Sequence, residues 1–240
     1  QNAFLLHAYG EPLAIESGYY VAFNSTMHLN WRRQTRSTNN LLIDGQGQYA
    51  GLDKSLNLQA TGRVEEAHFR DGIGYVRMDA TEAYRVNIPY VNRCVREIYF
   101  VHAAYIVIVD AVDLDQPGEI SWLMHTRNEM RLGRQRFRAA GEKAELLGEF
   151  VYCSSGDLTL TQHDQFTDVD PEEIAGLPAQ WHLEARTRKA PGHRIVTLLV
   201  PMKKGEDRFV SHFIDDQDHG VHLYFTDQGQ TTRISVAKAY

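Results

Sequence analysis

The sequence predicts an all-β protein: a large antiparallel β-sandwich of two packed sheets with at most one or two short helices. Short runs of β-branched and aromatic residues recur along the chain, and turn residues separate them at intervals of roughly 8–15 residues. Almost no segment shows helical periodicity. The sequence contains about thirteen strand candidates, which is more than the number of strands in an immunoglobulin-like sandwich. We therefore expect a larger assembly of two sheets.

The clearest strand is the apolar run from Tyr105 to Val109, which we expect to end at Asp110. A short continuous apolar run of this kind is typical of a buried strand. A turn is predicted at 113–118, and the chain resumes as a strand from Glu119 to His125. Further strands are predicted near 3–9, 40–44, 55–60, 63–69, 73–79, 93–101, 144–151, 156–162, 180–188, 193–201, 208–214, 220–226 and 231–237.

One short helix is predicted at 170–175. Asp170 can cap its first turn and Pro171 suits its first position. Gly176 and Pro178 would end it within two turns. With no linker or internal repeat in the sequence, we expect a single domain over residues 1–240.

The composition excludes several classes of protein. Of the 240 residues, 43% are hydrophobic and 23% charged, which argues against intrinsic disorder. The net charge of −6 disfavours a nucleic-acid partner, and no apolar run is long enough for a membrane-spanning helix. Two cysteines, Cys94 and Cys153, are too few for a zinc knuckle, and a disulfide between them stays open.

A polar segment between Glu16 and Gln48 is the best candidate site, because long loops in compact domains are often functional. Its aromatic rings can stack on sugars, its amides can bind hydroxyls and its arginines can pair with carboxylates. His28 is the catalytic candidate, since imidazole titrates at about pH 6.5. The alternative is a solvated surface loop. The predicted sugar contacts are Asn30, Trp31, Arg33, Arg36 and Asn39.

Two blocks of sequence carry a family resemblance. The first comprises residues 2–4, 10–19, 31–37 and 42–48, and the second comprises residues 93–110 and 122–126. On these residues the chain resembles the C-terminal β-domain of the heparinase II/III-like polysaccharide lyases. Within that family it is most similar to exo-acting oligoalginate lyases.

The resemblance implies a two-part enzyme, with an N-terminal α-helical toroid, a β-sandwich, and a cleft between them. Such enzymes cleave uronate-containing polysaccharides, alginate or heparin-like, by β-elimination. The family's tyrosine and histidine catalysts lie in the toroid and just before the position of Gln1. We therefore expect this chain to be the C-terminal part of a longer protein and inactive alone, with the absent helical domain and an anionic uronate polysaccharide as partners.

The resemblance also bears on metals. Some family members hold a structural zinc, and two of its ligand positions correspond to Glu16 and Thr38 here. Threonine is not a normal zinc ligand. We expect no metal and no other cofactor.

The sequence leaves the function and the cellular location open. The alternative function is a non-catalytic carbohydrate-binding or structural β-sandwich that shares only the fold. The resemblance implies a bacterial enzyme of the periplasm or the cytoplasm, with neither nucleic acid nor membrane as a partner.

Overall fold

The computed structural model describes residues 1–238 and confirms an all-β sandwich. Its strands are antiparallel and form four sheets. In chain order they are β1 (Leu6–Ala8), β2 (Glu11–Ala14), β3 (Leu41–Ile43), β4 (Arg63–Arg70), β5 (Ile73–Asp79), β6 (Val91–Val101), β7 (Tyr105–Gly118), β8 (Ile120–Thr126), β9 (Met130–Leu132), β10 (Arg136–Ala140), β11 (Ala144–Cys153), β12 (Thr159–His163), β13 (Trp181–Arg186), β14 (Ala190–Lys203), β15 (Ser211–Gln217), β16 (Gly220–Asp227) and β17 (Gln230–Val236).

An eight-stranded sheet, β4-β5-β6-β7-β14-β11-β10-β9, forms the middle layer. The four-stranded sheet β12-β13-β8-β3 covers one face, and the three-stranded sheet β15-β16-β17 covers part of the other. In β7, Ile106 and Ile108 belong to the first core, whereas Val107 and Val109 belong to the second. Burial on both faces explains why this strand is apolar throughout. The described residues therefore form three layers, where the sequence predicted two sheets.

The predicted turn at 113–118 is wrong, because β7 continues to Gly118. Its second half pairs with strands on both sides. Leu114 lies opposite Val91 of β6, and Asp113 lies opposite Gly192 of β14. Pairing on two sides outweighs the local preference of the Asp, Pro and Gly residues for a turn.

Helical structure is confined to short pieces. Two are α-helices, α1 (Lys54–Gln59) and α2 (Thr81–Arg85). A π-helical turn at Met27–Arg32 and a 3-10 turn at Thr35–Ser37 lie in the long connection between β2 and β3. The predicted helix at 170–175 is a 3-10 turn, Pro171–Ile174.

The predicted strand at 55–60 is wrong, because these residues form most of α1. The Asp53 carboxylate accepts hydrogen bonds from the backbone N–H groups of Ser55, at 2.7 Å, and Leu56, at 3.3 Å. This N-cap satisfies donors that would otherwise be free at the start of the helix.

A buried ion pair fixes the start of the chain against the middle sheet. Arg96 and Asp110 face each other on β6 and β7, with Nε and Oδ1 2.7 Å apart. Arg96 Nη1 also donates to the backbone oxygens of Asn2, at 2.9 Å, and Asn39, at 2.8 Å. Trp122 Nε1 donates to Asp110 Oδ2 at 3.1 Å. This network holds the start of the chain, at Asn2, and the end of the loop 15–40, at Asn39.

Cys94 and Cys153 are both free, so the disulfide that the sequence left open is not formed. Cys94 is buried in the first core. None of the helices in residues 1–238 has the length and apolar character needed to cross a membrane.

Candidate functional site

The segment 15–40 contains every site residue that the sequence predicts, and it packs on β8 and β13. The backbone N–H of Ile15 donates to the His125 oxygen at 3.0 Å. Ser17 Oγ donates to Gln180 Oε1 at 3.0 Å, just before β13. The Trp31 indole lies 4.9 Å from the His182 ring. These contacts set the loop against one end of the four-stranded sheet.

Three histidines form a row across this sheet. In the strand register, His125 of β8 lies opposite His182 of β13, which lies opposite His163 of β12. Neighbouring ring centroids are 5.1 Å apart in both pairs. Burial lowers the pKa of His125 to about 4 and that of His182 to about 2, because a charged imidazolium loses its hydration there. Both rings are therefore neutral at neutral pH.

The hydrogen bonds assign the protons of this pair. His125 Nε2 lies 3.2 Å from the Thr38 carbonyl oxygen, which can only accept, so Nε2 carries the His125 proton. His125 Nδ1 then accepts from His182 Nδ1, 3.0 Å away. A neutral His182 with its proton on Nδ1 presents an unprotonated Nε2. That atom is buried and has no hydrogen-bond partner in the described part of the chain.

A cavity of about 240 Å³ opens beside the histidine row. It is smaller than the ~300–1,000 Å³ typical of pockets for drug-sized ligands. One sugar ring is a better match for this volume than an oligosaccharide. Its aromatic and polar walls include Trp31, Arg36, His163, Thr167, His182 and Glu184.

Two of the predicted sugar contacts, Trp31 and Arg36, lie at this cavity. Trp31 is almost wholly buried, and its Nε1 donates to Ser17 Oγ at 3.2 Å. Arg36 is 36% exposed at the side chain, and its Nη1 is 3.3 Å from Asp168 Oδ2. The structure thus brings an aromatic wall and a cation to the same cavity.

The structure places Asn39 elsewhere. It is buried, and its Nδ2 donates to the backbone oxygens of Phe4, at 2.7 Å, and Ile15, at 3.0 Å. Its Oδ1 accepts from the His125 N–H at 2.8 Å. These bonds use both N–H groups and the oxygen of the buried amide, so we correct its assignment from a sugar contact to a residue that positions the loop backbone.

His28, Asn30 and Arg33 lie outside the walls of the cavity. His28 Nδ1 accepts from the Asn24 N–H at 3.1 Å. Asn30 is exposed, and its amide donates to a backbone oxygen of a neighbouring loop at 2.8 Å. Arg33 Nη2 donates to the Gly51 oxygen at 3.1 Å. Their roles in catalysis and sugar binding stay predictions.

Comparison with known families bears on the whole chain. The family model described as "Heparinase II/III-like, C-terminal" matches residues 1–234. The chain belongs to this family. No curated protein matches the chain.

Solved structures show the same fold as this heparinase II/III-like domain. The "Heparinase III-BT4657 gene product" matches with a TM-score of 0.74 and 16% identity, over 98% of this chain and 36% of that one. A "Crystal Structure of Heparinase III" matches with a TM-score of 0.71 and 14% identity, over 98% of this chain and 35% of that one. The heparan sulfate lyase HepC from Pedobacter heparinus gives a TM-score of 0.71 and 14% identity, over 99% of this chain and 36% of that one. This chain thus spans little more than a third of each structure.

The zinc positions implied by the family resemblance do not fit a metal here. Glu16 is exposed, and Thr38 Oγ1 donates to the Thr35 oxygen at 2.9 Å. Among residues 1–238, no group of three or more His, Cys, Asp or Glu side chains is arranged to hold a metal ion.

The histidine row leaves only a weak pattern in the sequence and is not among the predicted site residues. Alternation along the strands supplies a weak signal, because Met124 and Leu183 point into the first core and the adjacent His125 and His182 point outward. Local pattern does not reveal which strands pair or in what register. The row becomes visible only once β8, β13 and β12 are aligned.

Proposed function

We propose that this chain is the β-sandwich domain of a polysaccharide lyase that cleaves uronate-containing polysaccharide by β-elimination, and that it forms one wall of the substrate cleft. The observation that carries the proposal is the family match over residues 1–234. Structures with the same fold are titled heparinase III and heparan sulfate lyase, which supports an anionic polysaccharide as the substrate.

The chemistry requires three groups around the uronate. A base removes the proton next to the carboxyl group, a cation or hydrogen-bond donor stabilises the charge on that carboxylate, and an acid protonates the leaving oxygen. Arginine suits the second task, because its planar guanidinium pairs with both oxygens of a carboxylate. Arg33 on the loop 15–40 is the candidate for this task, and Arg36 at the cavity is the candidate for binding the carboxylate of another uronate residue of the polymer.

The base and acid are proposed to come from an α-helical domain of the same polypeptide. The solved structures of this fold extend well beyond the matched region, which leaves room for such a domain. His28 is the candidate for proton transfer within this chain. Its ring packs on Phe23, with centroids 5.1 Å apart, at the surface of the loop.

The solved structures with the same fold, a heparinase III and a heparan sulfate lyase, favour a heparin-like polymer, whereas the resemblance within the family favours alginate. Both polymers carry uronate carboxylates, and the arginine-bearing loop suits either. A bacterial enzyme acting in the periplasm or the cytoplasm is part of the same proposal.

The test uses the full-length natural protein with heparan sulfate, hyaluronan and alginate in parallel. β-Elimination leaves a conjugated unsaturated uronate, which is followed by ultraviolet absorbance. A rise in absorbance with at least one polymer supports the proposal and identifies the substrate. Tight binding to a polymer without any rise would instead establish a non-catalytic carbohydrate-binding domain.

A further inference from the structure

We propose that the cavity beside His182 binds a single uronic acid residue, with His182 Nε2 accepting a hydrogen bond from a ring hydroxyl and Arg36 binding the carboxylate. This inference rests on the proposed function and adds a defined sugar subsite to it. The subsite lies on β12, β13 and the loop 15–40.

The first argument is the unprotonated Nε2 of His182. The chain of hydrogen bonds from the Thr38 oxygen through His125 fixes the His182 proton on Nδ1. Ser17 Oγ lies 3.4 Å from the same Nδ1, on the side away from Nε2. Buried polar atoms are nearly always hydrogen-bonded, so an acceptor left without a donor points to a ligand group. A hydroxyl supplies the required donor, whereas a carboxylate does not.

The second argument is the composition of the cavity walls. Trp31 is almost wholly buried and packs against Phe166, so it offers its aromatic face to the apolar face of a sugar ring once Phe166 has moved aside. Glu184 offers carboxylate oxygens that can accept from a second hydroxyl. A set of one aromatic wall and several convergent polar groups is typical of a small-molecule site.

The third argument is the availability of Arg36. In the described residues its side chain makes one hydrogen bond, to Asp168 Oδ2 at 3.3 Å. Asp168 is 68% exposed at the side chain, and exposed ion pairs of this kind are weak. A ligand carboxylate can therefore bind the remaining N–H groups of the guanidinium or replace Asp168.

Phe166 covers the approach to His182. Its ring centroid lies 5.4 Å from the His182 ring and 5.2 Å from the Trp31 ring. His182 Nε2 is buried, so the Phe166 side chain, on the loop between β12 and the 3-10 turn, has to rotate away before a ligand reaches this atom from the cavity. We expect the sugar ring to take the place of Phe166 against Trp31.

The test is a titration of the full-length natural protein, labelled with nitrogen-15 in its histidines, with D-glucuronate. D-Glucose serves as the neutral sugar of the same ring type. We expect glucuronate to shift the resonance of one unprotonated, buried imidazole nitrogen, and glucose to bind at least tenfold more weakly. This titration of the unmodified protein does not depend on the folding of any variant.

His182→Asn provides the matched variant. An asparagine amide can replace Nδ1 and still donate to His125, but it has no atom in the place of Nε2. We expect at least a tenfold loss of glucuronate affinity, with the variant still folded by circular dichroism although the lost ring contacts lower its melting temperature. His219→Asn, at the exposed turn between β15 and β16, should bind as the natural protein does.

Three outcomes would overturn the inference. The first is equal affinity for glucuronate in the natural protein and in His182→Asn. The second is a resonance shift caused by Zn²⁺ and not by glucuronate. The third is the absence of any sugar binding while the protein still forms unsaturated product from a uronate polymer, which leaves the proposed function standing. If the natural protein neither binds the sugar nor forms unsaturated product, the proposed lyase function is contradicted as well.

Discussion

Arg96 and Asp110 form an ion pair inside the protein, with Nε and Oδ1 2.7 Å apart and side chains only 2% and 1% exposed. They are direct neighbours across β6 and β7, and each has further partners in the backbone or in Trp122. Because every charged atom is paired, the pair holds Asn2 and Asn39 without leaving an uncompensated charge. The loop that carries the candidate site depends on this anchor.

Replacement of Asp110 by asparagine should destabilise the fold strongly. The Arg96 guanidinium would stay buried without its counter-charge, at a cost of about 3–5 kcal/mol. Urea unfolding monitored by tryptophan fluorescence measures this loss. Asp157→Asn is the control, because its pair with Arg134 has side chains 54% and 86% exposed and should cost below about 1 kcal/mol. Equal losses in the two variants would contradict the anchoring role.

The stability of the protein should fall as the pH falls from about 6.5 towards 4. His125 and His182 have pKa values lowered to about 4 and about 2 in the folded state, so the unfolded chain binds more protons in this range. The two neutral rings make their full contribution to the free energy of unfolding above pH 6.5, the pKa of histidine in the unfolded chain. This contribution is lost as the pH falls towards the pKa values of the folded state. Free energies of unfolding measured against pH test this. His182→Asn should show a shallower decline, and an identical slope would argue against it.

Gly148→Ala should destabilise the junction of β10 and β11. Gly148 lies opposite Phe137, and a Cβ there would overlap the Phe137 ring. Overpacking of a buried site costs about 1–3 kcal/mol. Differential scanning calorimetry gives the melting temperature of this variant and of the control Gly133→Ala. In the control, the added Cβ would lie 3.6 Å from the nearest atom, the Arg136 oxygen. A melting temperature that falls no further than in the control would refute the close packing.

Arg36→Gln should weaken substrate binding in the full-length protein while leaving the chemical step intact. Loss of one charge-assisted contact predicts a rise in KM of about tenfold with kcat nearly unchanged, because that contact is made equally in the ground and transition states. Arg134→Gln removes an arginine that also pairs with an exposed aspartate, and it should change neither constant. A fall in kcat with constant KM would instead place Arg36 at the reacting carboxylate in the transition state.

Parts of the fold could be predicted because their signal is local. The run from Tyr105 to Val109 is apolar at every position, and this predicted a buried strand correctly. The same run does not show which sheets cover its two faces, because a buried side chain is apolar whichever element packs on it. The third layer, β15–β17, was therefore not foreseen.

The predicted strand at 55–60 was wrong for a different reason. Leu56 and Leu58 alternate with polar residues, a period typical of a strand. Leu58 is nevertheless 80% exposed, so the alternating leucines do not form the buried face of a strand. The Asp53 cap favours a helix instead. The segment from Glu16 to Gln48 was singled out as the candidate site by its content, and its role stays a prediction. The histidine row was missed, since it depends on pairing among three distant strands.

The most direct test of the proposed lyase chemistry is mass spectrometry of the products that the full-length protein forms from a uronate polymer in heavy-oxygen water. β-Elimination breaks the glycosidic bond without adding water. The account predicts products that carry the unsaturated end, are lighter by one water than the corresponding hydrolysis products, and contain no heavy oxygen from the cleavage. Products that lack the unsaturated end and have the full mass of hydrolysis products would identify a hydrolase and contradict it.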